Sequence, residues 1–267
     1  MKSTLKKRIW LVRPLGFILC CLFGPTQILA QENPISSDRP GQANSAQTVG
    51  QGNWQWQMGL QFNAVSSSIQ TSNVYLNEHQ LRYGLLEDLD AALLLNFDHN
   101  IENAAGERLS EAGFSTLGLR LRHQAYTGQG FISAIGWQFD LLLPPYREFQ
   151  KAGNSDGHWT GMLELSPGGN FGISLNGGIR WTGEMARPLG HYVLNLNYSW
   201  GNWSAFAEHY SFQAVDGNWP VQFDGGLAYY FRPNLILDLS IGQTDFNGES
   251  NRFVNLGFSW RWKNRSE

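Results

Sequence analysis

The chain has 267 residues, of which 15% are charged, 42% hydrophobic and 13% aromatic, with 30 Gly and a formal charge of -3. Charge is too scarce for an ordinary soluble domain, which carries about 25% Asp, Glu, Lys and Arg, and the 11 Trp, 9 Tyr and 16 Phe exclude a disordered chain. Past residue 30 no stretch approaches the ~20 apolar residues of a spanning helix, so this aromatic- and Gly-rich chain with thinly spread hydrophobicity reads as a transmembrane β-barrel.

Residues 1–30 hold Lys2, Lys6, Lys7, Arg8 and Arg13 and no acid, then an apolar core from Leu15 to Phe23 and a Gly24-Pro25 break before Ala30. That order of basic, apolar and breaking segments predicts a secretory signal peptide cleaved near Ala30; the apolar run is short for a membrane anchor. Both cysteines, Cys20 and Cys21, lie inside it, so the exported chain has neither a disulfide framework nor a Cys-based zinc site. Removing the leader leaves 14 Lys and Arg against 22 Asp and Glu, a net of -8, which argues against nucleic acid as a partner. Residues 31–53 are polar, rich in Ser, Gln, Gly and Pro, and without periodicity, and are expected to be a flexible periplasmic lead-in.

From Trp54 the hydrophobic period becomes two. Trp54, Trp56, Met58, Leu60 and Phe62 share one face and Gln55, Gln57, Gln61 and Asn63 the other, as strand geometry requires. The pattern returns through the chain and closes with Val254, Leu256, Phe258, Trp260 and Trp262 against Asn255, Ser259 and Arg261. Twelve such runs are predicted, at 54–65, 73–84, 88–98, 114–124, 130–142, 158–166, 170–181, 191–200, 203–212, 221–231, 234–243 and 252–262. Most have about the 9–11 residues a tilted strand needs to cross a bilayer.

The links between them alternate in length. Those after even-numbered strands are short, and those after odd-numbered strands, such as 101–113 and 143–157, are longer and polar. An even count with alternating links predicts an all-β, twelve-stranded antiparallel outer-membrane β-barrel over 54–262, with short periplasmic turns, long external loops and a periplasmic tail at 263–267. The aromatic residues fall in two bands: Trp54, Tyr83, Trp200, Trp203, Tyr229 and Trp260 at the periplasmic ends, and Tyr75, Phe97, Trp159, Trp181 and Tyr192 at the outer ends. Amphipathic rings collect where headgroups meet hydrocarbon, whereas a soluble β-sandwich would scatter them along its core.

Charged strand residues lie mainly on the face away from lipid: Arg82, Asp90, Arg120, Arg122, Glu164, Arg180, Glu208, Asp224, Asp238 and Arg261 are the expected lumen residues that would govern solute selectivity. A turn centred on Leu86 would set Arg82 directly opposite Asp90, within reach of a cross-strand ion pair. Asp238 and Arg261 are expected at similar depth on neighbouring strands. Such a lumen serves either a hydrophilic conduit or an ion-pair network that fills the barrel, and twelve strands lie between the filled eight-stranded and open sixteen-stranded cases.

Four segments carry a resemblance. Asp38-Arg39-Pro40, Arg82-Tyr83-Gly84-Leu85 with Asp90, Asp224-Gly225-Gly226-Leu227-Ala228-Tyr229 leading through Pro233-Asn234 to Asp238, and 253–261 at the end are similar to a family of bacterial outer-membrane, transporter-like proteins grouped under a meta-cleavage pathway of phenol degradation. Asp90 stands where Glu is usual in that family, and five residues follow Trp262. The resemblance implies a β-barrel in the outer membrane of a Gram-negative-type bacterium, in contact with its lipid, that passes small solutes, aromatic or hydrophobic compounds among them.

One catalytic alternative exists. His209-Tyr210-Ser211 has the His-x-Ser spacing used by outer-membrane lipid hydrolases, and residues i and i+2 of a strand point the same way. The Asn and Gly that accompany such pairs are replaced here by Phe212 and Gln213, so no catalytic residue is assigned. The six His lack zinc spacing, Asn154, Asp156 and Asp245 lack the dense oxygen pattern of a calcium loop, and no cofactor is expected.

Overall fold

The computed structural model describes residues 34–104, 107–143, 154–182, 187–246 and 248–263. Twelve antiparallel strands run in chain order: β1 Asn53–Ser66, β2 Gln70–Leu86, β3 Leu89–Ala104, β4 Glu107–Thr127, β5 Ile132–Leu143, β6 Asp156–Gly168, β7 Phe171–Trp181, β8 Leu189–Trp200, β9 Trp203–Phe212, β10 Gln222–Arg232, β11 Leu235–Phe246 and β12 Glu249–Lys263. Each pairs with its sequence neighbours, and β1 pairs with β12 from Asn53↔Lys263 to Ser66↔Ser250, so the sheet closes into a barrel with no free edge.

The period-two pattern assigns the faces. In β1 Gln55, Gln57 and Asn63 are buried inside, while Leu60 and Phe62 are exposed on the outer wall. The same outward exposure holds for Leu119 in β4, Leu196 in β8, Leu237 in β11 and Leu256 in β12. An outer wall of exposed Leu, Val, Ile and Phe around a polar interior inverts the usual arrangement in water and suits hydrocarbon. Rings cluster at the ends with short turns, where Trp54 meets Tyr83 at 4.6 Å, Trp203 meets Tyr229 at 4.7 Å and Phe171 meets Tyr198 at 4.7 Å. At the other end Phe62 lies 5.2 Å from Tyr75 and Phe97 5.7 Å from Phe114.

In strand extent and in the course of the lead-in the structure differs from the sequence reading. Three links expected to be long external loops are short, because their strands continue: β3 and β4 pair as far as Ala104↔Glu107, through most of the stretch 101–113. Beyond the membrane both faces meet water, so polar residues such as Glu102, Arg108 and Glu111 extend the ladder without a hydrophobic period to announce it. The second difference concerns the lead-in. Residues 34–52 do not hang free in the periplasm; they fold back into the barrel and line its inner wall. The signal-peptide reading of 1–30 and the tail from 264 onward lie outside the described residues, as does most of the link 144–155.

A closed ladder of this kind resists dodecyl sulfate until heated. The unboiled protein is expected to migrate differently from the boiled form on a detergent gel, with a β-dominated circular dichroism spectrum; identical mobility with a coil spectrum would contradict the closed barrel.

Candidate functional site

The site is the lumen together with the segment that crosses it. This strap begins at the short-turn end, where Ile35 donates its N–H to the Pro233 carbonyl (2.8 Å) and packs its side chain against Ala228 and Ile236. It rises along β12 and β1, with the Ser37 hydroxyl 2.6 Å from that of Ser259, and then arcs round the inner wall. Its amides and side chains dock in turn on Glu208 of β9, Asn176 of β7, Glu164 of β6, Gln124 of β4 and Asp90 of β3. It leaves at the β2 turn, where the Gly52 N–H reaches the Gly84 carbonyl at 2.9 Å. The extended strap has no sheet partner of its own, so its N–H groups are satisfied by wall side chains, and that is what the inward Glu, Asp, Asn and Gln supply.

Asp38 and Arg39 are the only charged residues of the strap and carry its strongest bonds. The Asp38 carboxylate takes a two-pronged bond from Arg122 (2.9 and 2.8 Å), a further bond from the Gln80 amide (2.9 Å), and lies 3.4 Å from Arg120. Arg120 in turn grips Asp140 with Nε and Nη2 at 2.6 and 2.8 Å. Arg39 reaches Asp238 (2.9 Å) and Asn255 (2.6 Å), with Glu78 at 3.5 Å. A Cβ on either Gly59 or Gly257, which face each other across β1 and β12, would collide with the Arg39 guanidinium. Glycine at these two positions lets the planar cation lie against the wall.

Each expected lumen residue can now be placed. Arg82 and Asp90 meet at 2.6 Å, both fully buried. Arg82 is nevertheless paired across the ladder with Ala92, and Asp90 with Gly84, because the turn is tighter than a Leu86-centred one and bulges between Gly84 and Leu86. The Arg side chain spans the diagonal. Arg82 also donates to the Gln47 carbonyl (2.9 Å) and Asp90 accepts the Val49 N–H (3.1 Å), so the pair clamps the end of the strap. Glu164 accepts from the Ser45 hydroxyl and the Ala46 N–H at 2.7 and 2.8 Å. Glu208 takes the N–H groups of Gln42 and Ala43 and the Asn195 amide, and Asp224 stands directly across the ladder from it.

One expected neighbour pair is corrected: Asp238 lies opposite Gly257, not Arg261. Arg261 sits four residues further toward the short-turn end, where its backbone bonds to Asn234, and the partner that Asp238 takes is Arg39 from the strap. Sequence reasoning missed Asp38, Arg39, Asn44 and Gln80 as lumen residues. The available signals were that Asp38 and Arg39 stand side by side next to a proline in a polar stretch whose one other charge is Glu32, and that they belong to a segment carrying the family resemblance.

The strap divides the interior. An outer cavity of about 510 Å³ is lined by Glu78, Arg120, Asp140, His158, Arg180 and His191 among others, and an inner one of about 220 Å³ by Glu164, Asn195, Ser204, Glu208 and Tyr230 among others; Arg39, Pro40, Gly41 and Asn44 border both. The His-x-Ser pair lies on the outer wall. His209 stacks on Tyr192 (5.5 Å) and packs against the tilted ring of Phe223 (4.9 Å), and Ser211 is fully buried with its hydroxyl unpartnered, so no bond joins them.

A closed twelve-stranded barrel with a lipid-facing wall and a polar, strap-divided bore defines the class of outer-membrane β-barrels. Residues 37–262 match the family described as "Putative MetA-pathway of phenol degradation", and the chain belongs to it. No curated protein matches the sequence. Among solved structures the chain is similar to an outer membrane channel from Pseudomonas putida F1, with a TM-score of 0.63, 14% identity, and coverage of 84% of this chain and 99% of that one. The translocator domain of the autotransporter NalP from Neisseria meningitidis gives a TM-score of 0.51 at 12% identity, covering 80% and 89%. These likenesses are of fold.

Two predictions follow from the buried charges. Arg82→Ala should cost about 3–5 kcal/mol of unfolding free energy, and more than the Arg82→Ala/Asp90→Ala double variant, because the single change leaves a buried carboxylate alone. Additive losses in a double-mutant cycle, read by denaturant titration in detergent, would show that the pair is not coupled. Asp224→Asn should instead stabilise by up to about 1 kcal/mol, since a carboxyl directly opposite Glu208 must either repel it or hold a proton, and the amide of the same shape does neither.

Proposed function

We propose that the protein is a passive outer-membrane channel for small solutes, polar ones and compact aromatic or hydrophobic compounds included, and not an enzyme. The observation that carries this is the pair of polar cavities on the two sides of the strap within one closed barrel. A solute crossing such a bore exchanges hydration for bonds to Asn, Gln, Ser and paired charges, which is favourable enough to admit it and divided enough to release it. The Pseudomonas putida protein, whose fold this chain shares, is described as an outer membrane channel, and the family grouping supports small aromatic molecules as cargo. Burial of Ser211 with no bond to His209 speaks against lipid hydrolysis.

A second reading has an observation of its own. The strap and its buried pairs, Arg82 with Asp90 and Arg122 with Asp38, occupy the middle of the bore, which suits a filled barrel with a binding or structural role. Liposome swelling separates the two. Purified protein should make vesicles permeable to small sugars and organic acids, and Arg180→Glu should shift ion selectivity toward cations by reversing the local field. Ser211→Ala should change neither permeability nor lipid composition. Vesicles that stay tight would favour the filled barrel, and Ser211-dependent release of fatty acid would restore the hydrolase.

A further inference from the structure

Among the arginines placed at the lumen by strap and wall, Arg39, Arg82, Arg120 and Arg122 each hold a carboxylate oxygen at 2.6–2.9 Å. Arg180 of β7 is placed differently. Its Nη2 donates to the Gln213 carbonyl at 3.2 Å, its Nε is buried with no hydrogen-bond partner, and its guanidinium carbon lies 5.4 Å from the centroid of Phe212. Among the described residues no carboxylate comes within ion-pair distance of it; Asp156, at the start of β6, acts on it electrostatically.

The neighbouring strand brings a second incompletely used group. His191 of β8 holds Nε2 3.0 Å from the Thr160 hydroxyl, stacks on Phe212 with centroids 5.9 Å apart, and has its Nδ1 buried without a partner. When the threonine hydroxyl donates to Nε2, Nδ1 carries the proton and becomes a donor. Arg180, His191 and Phe212 all line the outer cavity, together with the apolar side chain of Val193. A volume of about 510 Å³ falls in the range of sites for single small molecules. Buried donors without acceptors are costly, and an acceptor with two oxygens in a plane satisfies a guanidinium edge and an imidazole N–H together. A ring and an aliphatic side chain beside those donors suit a compact apolar body.

We propose that the outer cavity is a binding site for a small organic carboxylate, its carboxylate held by Arg180 and His191 and its apolar body packed on Phe212 and Val193. The site lies in the bore of the proposed channel but does not require passage through it, so binding and permeation fail independently.

The test is calorimetric titration of the detergent-solubilised protein with benzoate, with benzamide as the neutral molecule of the same shape. Benzoate should bind and benzamide should bind at least about tenfold more weakly, as the loss of a charge-assisted bond implies. Arg180→Gln should weaken benzoate by a similar factor and leave benzamide unchanged, while Phe212→Leu should weaken both. Retention of the heat-modifiable gel mobility shows that each variant is folded, and Arg180→Lys, which keeps the charge without the fork, should fall between wild type and Arg180→Gln. Equal binding of benzoate and benzamide, absence of benzoate binding at millimolar concentration, or an Arg180→Gln barrel that binds benzoate as well as wild type would each overturn the proposal. A barrel that binds benzoate while vesicles stay tight would keep this site and overturn the channel.

Discussion

The two-pronged bond between Asp38 of the strap and Arg122 of the wall is the contact on which the interior depends. Arg82, Arg120 and Arg122 crowd one side of a narrow bore, and three guanidinium groups brought together away from bulk water repel strongly. Asp90, although directly across the ladder from Arg122, is bonded to Arg82, and Asp140 answers Arg120, so the wall hydrogen bond of Arg122 goes to the neutral Gln138 side chain (2.7 Å). The missing negative charge comes from outside the sheet, carried in by residue 38. Asp38 also accepts from Gln80 and from the Ser45 N–H, so it fixes both the sign of the field and the path of the strap.

Much of the wall chemistry follows from that insertion. An extended segment inside a barrel presents backbone groups that water would otherwise satisfy. Glu164, Glu208, Asn176 and Gln124 meet those amides on successive strands, and the Ser240 hydroxyl meets the Pro40 carbonyl. Where the strap presses against sheet backbone, side chains are absent: Gly59 and Gly257 under Arg39, and Gly84 against Gly50. A twelve-stranded bore is too wide for wall side chains alone to fill and too narrow to remain an open aqueous pore once a strap and its hydration are inside. What results is two polar cavities with a polypeptide between them.

The division also separates two electrostatic regimes. Acids of the inner half, Glu164 and Glu208, are committed to the strap's N–H groups. In the outer half Arg180 and His191 keep donor atoms uncommitted. The barrel therefore engages its central arginines in ion pairs with the wall and the strap, and offers Arg180, which holds no carboxylate among the described residues, and His191 toward the outside, where a solute arrives first.

The sequence by itself determined the barrel. Period-two alternation from Trp54 onward, an even number of runs and two aromatic bands follow from the demand that every residue face either lipid or lumen, and that demand is written locally in each strand. Strand ends were legible only at the membrane boundary, because outside it the ladder of β3 and β4 continues with no hydrophobic contrast to mark it. The Arg82–Asp90 contact was legible because eight residues about one tight turn fix the pair within a diagonal. The partnership of Asp238 was not: its neighbour in the register is Gly257, and its cation, Arg39, is 199 residues away. The same holds for residues 34–52, whose polar, aperiodic sequence is what a solvated lead-in and a strap in a polar bore have in common. Only the closed barrel, by removing water from one side of those residues and setting a row of acceptors there, decides that they are structure.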